Sequence, residues 1–287
     1  MASLKETKNR IASVKSTLKI TSAMKMVASA KLHKAQNAIE SMLPYEQELR
    51  SMLQLLLSSV GESARLPIGD RSSSTVAIVA FASNSSLCGG FNANAIREAK
   101  ARIAEVEAAG ETVEVFAVGR KAAESLAKAG YPTDGDYSGL LAHSSYEGAA
   151  AFAKRLQDGF ADGKYARVEL IYNHFVSTST QKVVRQTYLP MELPAAEAGG
   201  VPVEDDIILE PSAQEMLSDL LPLVQSLGIW TVILDTTAAE HAARTVAMQT
   251  ATDNGEDILR DLTLEYNKGR QQKITSEILD IVGGTMK

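Results

Sequence analysis

From Leu4 to Val60, apolar and small residues recur in steps dominated by three, four and seven: Leu4, Ile11, Val14, Leu18, Thr21, Ala28, Leu32, Ala35, Ile39, Met42, Leu49, Leu53, Leu56 and Val60. Only Lys25 and Glu46 interrupt this seam. A heptad spacing held over about eight heptads is the pattern by which one helix winds on another. Sixty helical residues at roughly 1.5 Å each span about 90 Å, longer than the helices of a compact domain, so residues 1–60 are expected to protrude. Pro44 lacks a backbone donor and crowds the preceding turn, which predicts a bend near residues 41–44.

The pattern then changes. Gly61–Ser74 is rich in Gly, Ser and Pro and reads as a linker. Apolar runs at Thr75–Ala82 and Val113–Gly119 alternate with helical stretches at Asn92–Ala109, Arg120–Gly130 and Tyr146–Asp162, the alternation of a doubly wound, Rossmann-like α/β domain over residues 75–190. Arg167–Ser177 and Gln181–Leu189 are two further β-like runs joined by the polar turn Thr178–Thr180, which predicts a hairpin. With Pro132–Tyr137 as a short additional strand, the expectation is a mixed five-stranded sheet.

Pro190–Pro211 holds four prolines and the acidic Glu204-Asp205-Asp206, and reads as a second linker. Ser212 and Glu215 have capping-box spacing and open a second long helix, over 212–285. Its helical pattern runs to Ile281, on the order of 105 Å, with Gly283-Gly284 as its end. Pro222 should kink its early part, and Gly255 and Gly269 each weaken it by roughly 1 kcal/mol against alanine. Each long amphipathic helix needs a partner for its apolar stripe, and the two ends of the chain supply each other. The fold class is therefore α/β with a long antiparallel coiled coil of N- and C-terminal helices, the domain lying between them in sequence.

Net charge adds a polarity to this layout. Residues 1–34 carry eight basic side chains against one acid, Glu6, an excess of seven, so the rest of the chain holds −13 within an overall −6. The basic segment points to an acidic partner or to a solvated helix face. Lys and Ser enrichment also marks organelle transit peptides, but those favour Arg, and here the seam continues past Leu32. An acidic total disfavours nucleic acid as the main partner. The single Cys88 cannot form an intrachain disulfide, and the most apolar run, Leu217–Leu234, is interrupted by Ser218, Asp219, Pro222, Gln225 and Ser226, unlike a membrane span.

Catalytic signatures are missing. No G-x-x-x-x-G-K-[ST] phosphate loop occurs, His33, His143, His174 and His241 have no metal-ligand spacing, and no G-x-S-x-G elbow is present. No cofactor or metal is expected. Ser83–Asn92 follows a strand and leads into a helix, where an α/β domain can bind phosphate; it lacks G-x-G-x-x-G and reads as a tight turn or a ligand loop. On the second reading the chain is a small-molecule enzyme of the α/β class.

Longer runs carry a resemblance. Ile11–Lys31 (IASVKSTLKITSAMKMVASAK) resembles the first helix of ATP synthase gamma subunits. Ala242–Asn254 (AARTVAMQTATDN), Glu265–Gln271 and Ile274–Gly284 resemble that family's C-terminal helix, and Leu87-Cys88-Gly89-Gly90 its head-domain loop. The resemblance implies the rotary central stalk of an F-type ATP synthase, a non-catalytic subunit that carries torque. Its partners would be three alpha and three beta subunits, the epsilon subunit and the proton-driven c-ring. It would be peripheral, at the cytoplasmic face of the inner (plasma) membrane, touching the membrane only through the c-ring. It also implies contact roles: Met24 and Lys25 for an acidic segment of beta, Arg270 and Gln271 for the beta catch region, Arg244 and Met248 in the motif tied to coupling, and Glu210 near the c-ring and epsilon foot. Three positions depart from the family: Ser83-Asn84-Ser85-Ser86 stands where Ser-Asp-Arg-Gly is usual, Gln249 where lysine is common, and Gly269 where alanine is common. The paired-cysteine insertion of chloroplast-type members is absent, so thiol control is not implied.

Overall fold

A computed structural model describes residues 3–60, 73–191 and 209–285 of the 287-residue chain. Most of the two expected linkers, with Glu204-Asp205-Asp206, lies outside the described residues. The element order is α1 (Leu4–Val60), β1 (Thr75–Phe81), α2 (Phe91–Ala108), β2 (Thr112–Val118), α3 (Arg120–Lys128), α4 (Ser138–Ala142), α5 (Tyr146–Ala161), β3 (Arg167–Phe175), β4 (Gln181–Leu189) and α6 (Ala213–Thr285). Two compact units are formed, one from Met1–Ser29 with Arg244–Lys287, the other from Ala30–Ala243.

In the first unit α1 and α6 run antiparallel, rising numbers on one matched by falling numbers on the other. Lys25 meets Gln249, the Thr252 hydroxyl donates to the Thr21 hydroxyl at 2.9 Å, Leu18 faces Gly255 and Leu4 faces Gly269. A Cβ on Gly255 would lie 2.7 Å from Leu18 Cδ2, so its lack of a side chain lets the helices close up. Thr7, outside the expected seam, is buried here.

In the second unit the helices again pair antiparallel. Leu32 and Ala35 pack with Ala238 and Ala242, and Leu53 and Leu56 with Leu217 and Leu221. The Ser212 hydroxyl accepts the Glu215 N–H at 3.2 Å, capping α6. Both helices continue through their prolines, Pro44 and Pro222, which lie exposed. α6 also continues through Gly283-Gly284 to Thr285, correcting the expected end: glycine disfavours a helix without forbidding it. By length and composition α6 is apolar enough to cross a membrane, and half of its most apolar stretch is buried inside the protein.

The sheet order is β2-β1-β3-β4, with β1 parallel to β2 and β3, and β4 antiparallel to β3. Alternation along β1 sends Ala77, Val79 and Phe81 into one core and Val76, Ile78 and Ala80 into the other. The first core is covered by α5 (Phe152, Leu156) and α6 (Ile229, Ile233), the second by α2 (Ala99, Ile103) and α3 (Ala122, Leu126). The sheet is mixed with four strands, not five. Pro132–Tyr137 instead lies beside β2 as irregular chain: Thr133 Oγ1 accepts the Ala117 N–H at 2.8 Å and the Asp134 N–H donates to Val115 O at 3.2 Å. Pro132 has no N–H to add to a ladder, and a side-chain oxygen takes the place of one ladder acceptor.

An ion-pair lattice ties α2 to β3 and β4. Arg102 donates twice to the buried Glu169 at 2.7 Å, and Arg167 donates to Glu169 at 2.8 Å and forks onto Glu111 at 2.7 and 2.6 Å. Arg185 forks onto Glu105 and also contacts Glu98. Burial pushes the Glu169 carboxyl up, but the hydrogen bonds from Arg102 and Arg167 outweigh it and leave the group below the usual range. The Arg167 hydrogen bonds lower Glu111, and those from Arg185 and then Arg102 lower Glu105.

Carboxyls held low in the fold contribute stability that is complete above the ordinary glutamate value of 4.5 and lost as pH falls through the folded values. Denaturant titrations at pH 7 and pH 4 should show Glu169→Gln less stable than the parent at pH 7 and losing less between the two. Gly119 has φ +102, and a Cβ there would sit 1.8 Å from the Ala82 carbonyl oxygen. Gly119→Ala should destabilise the domain by about 3 kcal/mol or more, read as a lowered urea midpoint.

Candidate partner-binding surface

Six of the seven expected contact residues fall in the first unit, and Glu210 in the second. Met24 and Lys25 are half-buried on α1. Lys25 Nζ donates to Gln249 Oε1 at 2.7 Å, and Gln249 Nε2 donates to Asp253 Oδ1 at 2.6 Å. The lysine thus has one bond committed across the helix pair, and the Gln249 amide oxygen is what accepts it. Arg244 and Met248 are buried on α6, at 7% and 4% exposure. Met248 and the Met24–Lys25 pair lie at one level of the helix pair, since Gln249 is Lys25's partner.

Arg270 and Gln271 lie apart from that group, about 33 Å further along α6 at the standard rise. Both are exposed, as is every residue from Arg270 to Val282. Thr275 Oγ1 donates to the Gln271 carbonyl at 2.9 Å, leaving the Gln271 side chain uninvolved in that bond. Glu210 is exposed in the bend before Pro211, at the entry to α6.

Sequence reasoning followed the seam and missed the apolar residues outside it. Ile20, Met26 and Val27 on α1 and Ile274, Ile278, Leu279, Ile281 and Val282 on α6 are all large, apolar and exposed. Apolar positions off the seam, set beside the basic residues of α1, were the available signal. Ile20, Met26 and Val27 lie where α1 is paired with α6, whereas Ile274–Val282 lie past Gly269, which faces Leu4 at the start of α1; exposed apolar stretches of this kind mark protein-binding faces.

The Ser83–Asn92 loop is closed on itself. Asn92 Oδ1 accepts the Ser83 N–H at 2.8 Å, Asn92 Nδ2 donates to Ser85 O at 3.2 Å and faces Cys88 Sγ at 3.2 Å, and Leu87 adopts φ +66. Asn84 accepts the Arg120 N–H at 2.9 Å and donates to Ser138 O at 2.8 Å. These side chains brace the loop against α2, α3 and α4. Among the described residues no group of three or more His, Cys, Asp or Glu side chains is placed to hold a metal.

A family model described as ATP synthase matches residues 3–286. The ATP synthase gamma chain of Phocaeicola vulgatus is 53% identical over 291 residues, covering 100% of each chain. Among solved structures, a chain of Euglena gracilis mitochondrial ATP synthase (OSCP/F1/c-ring, rotational state 3) has a TM-score of 0.63 at 20% identity, covering 99% of this chain and 93% of that one. A chain of the Tetrahymena thermophila mitochondrial ATP synthase central stalk and c-ring has a TM-score of 0.58 at 22% identity, covering 81% and 99%. At these identities the two structures speak to the fold: long terminal helices with a mixed sheet between them in sequence.

Burial separates the expected contact residues by what their loss should do to the free chain. Met248→Ala opens a cavity and should destabilise it by about 2–4 kcal/mol. Arg270→Ala, on an exposed helix face, should stay within about 0.5 kcal/mol of the parent. Urea unfolding of the purified chain reads both.

Proposed function

Because the chain belongs to the ATP synthase gamma chain family, we propose a division of labour along it. The chain is the non-catalytic rotary central-stalk subunit of an F-type ATP synthase, working between the c-ring and the alpha/beta hexamer. Catalysis belongs to the beta subunits. The first unit is the part the hexamer grips: Met24, Lys25, Arg244 and Met248 act at one level of the helix pair, and Arg270 and Gln271 at another. The second unit presents Glu210 to the c-ring and the epsilon subunit. The assembly is membrane-associated through the c-ring, and the chain works at the cytoplasmic face of the inner (plasma) membrane, where the free thiol of Cys88 needs no oxidant.

The carrying observation is the run Arg270–Val282, exposed throughout and rich in large apolar side chains. An exposed apolar helix calls for a surrounding protein surface, and a sleeve of alpha and beta subunits supplies one. A single chain inside three alpha/beta pairs must present a different face to each. Turning it exchanges those faces, and each catalytic site changes state by the difference in contact energy it experiences. The excess of basic residues in 1–34 suits acidic segments of beta.

The test is assembly and coupling. The chain should co-purify with three alpha and three beta subunits, and a chain that never associates with ATPase activity sinks the reading. Arg270→Ala combined with Gln271→Ala should weaken coupled ATP turnover in the assembled complex while the free chain keeps its fold; unchanged coupling removes that contact assignment.

A further inference from the structure

We infer that the α/β domain is keyed to α6 by three sets of side-chain hydrogen bonds, centred on Asp235, Tyr188 and Gln157, and that these are positioning residues for torque transfer. The inference rests on the central-stalk reading above and concerns the second unit alone. Asp235, on α6 and largely buried, holds the end of β3 with both oxygens: Oδ1 accepts the Phe175 N–H at 2.8 Å and Oδ2 meets His174 Nδ1 at 2.7 Å. Tyr188, buried on β4, donates its hydroxyl to the Gln225 carbonyl of α6 at 3.0 Å. Gln157 on α5 donates to the Pro222 carbonyl at 3.2 Å.

The physical case lies in direction. Around these bonds the domain meets α6 through apolar packing: Ile229, Val232 and Ile233 enter the sheet core, and Phe175 shares one cluster with Ala238 and Ala242 and another with Ala239 and Ala243. Apolar burial is strong but non-directional, so it holds α6 against the sheet without by itself fixing one orientation about the helix axis. Hydrogen bonds are directional and weaken steeply when bent. Those at Pro222, Gln225 and Asp235 come from three elements, lie at different angles around α6 by the 100° step, and are spread over about 20 Å of its length. Such an arrangement resists both twisting and sliding of α6 in its seat. Two of them act on main-chain carbonyls, so they hold the helix backbone itself.

The assay is the complete synthase in sealed vesicles, comparing the parent with Asp235→Ala, Asp235→Asn and Tyr188→Phe. The inference expects ATP hydrolysis by the detached catalytic sector to be unchanged in all of them. It expects protons pumped per ATP to fall in Asp235→Ala as the opposing gradient grows, with uncoupled turnover under load rising about tenfold, the change that losing one charge-assisted bond implies. Asp235→Asn, which keeps an acceptor for the Phe175 N–H, should restore most of the coupling. Should Asp235→Ala not assemble, Tyr188→Phe removes one hydroxyl without changing volume and is read alone by the same measure. Coupling equal to the parent at every load in Tyr188→Phe and in whichever Asp235→Ala complex forms overturns the inference. If the unaltered chain itself fails to support pumping, the central-stalk reading fails instead, so the two failures are distinguishable.

Discussion

The antiparallel pairing of α1 with α6 is the constraint on which the rest depends. Each long helix carries apolar side chains that would lie in water without the other, and their burial against each other is what holds the pair. The pairing is close where side chains are small: Gly255 lets Leu18 in, and Ala35 meets the alanines of α6. Polar contacts set the register, with Thr21 against Thr252 and Lys25 against Gln249. Because α6 also closes one face of the sheet through Ile229 and Ile233, the helix pairing and the domain core share one element. A change in α6 between Leu217 and Ala243 therefore acts on both.

Much of the fold was legible because it is written in periodicity. The seven-residue seam marked the first long helix and a capped helical pattern the second, and the strands fell within one or two residues of the apolar runs that marked them, since β1 and β3 are buried on both faces and read as continuous apolar sequence. The failures have local causes. Pro132–Tyr137 looked like a strand by composition, yet extended chain becomes a strand only by sharing a ladder, and that depends on a neighbour's edge. Gly283-Gly284 looked like a helix end, yet a stop signal is only a propensity. The five-residue α4 was missed because one turn of helix is too short to show a period.

The contact residues were less legible, because motif position gives a residue's place along a helix and not the face it occupies. Arg244 and Met248 belong to the same run as Gln249, but two of the three are buried and the third is exposed. The ion-pair lattice shows the same limit within the domain. No spacing in the sequence pairs Arg102 with Glu169, Arg167 with Glu111 or Arg185 with Glu105, and only the sheet brings them together. Once assembled, that lattice covers β3 and β4 with directional bonds on the face that α2 packs against.

Burial also divides the proposed contacts by mechanism. An exposed side chain such as Arg270 can exchange energy directly with a neighbouring subunit, and its contribution should vanish in the free chain. A buried one such as Met248 cannot reach a partner without the helix pair opening, so its effect on coupling must pass through the spacing and register of α1 against α6. Lys25 stands between the two: its link to Gln249 places the charge at the edge of the pair, where an acidic partner could compete with the amide oxygen for it. Coupling in such a chain is then a property of the seated helix pair as much as of the residues at its surface, and stiffness in the pairing is what lets a difference felt at one level be felt at another.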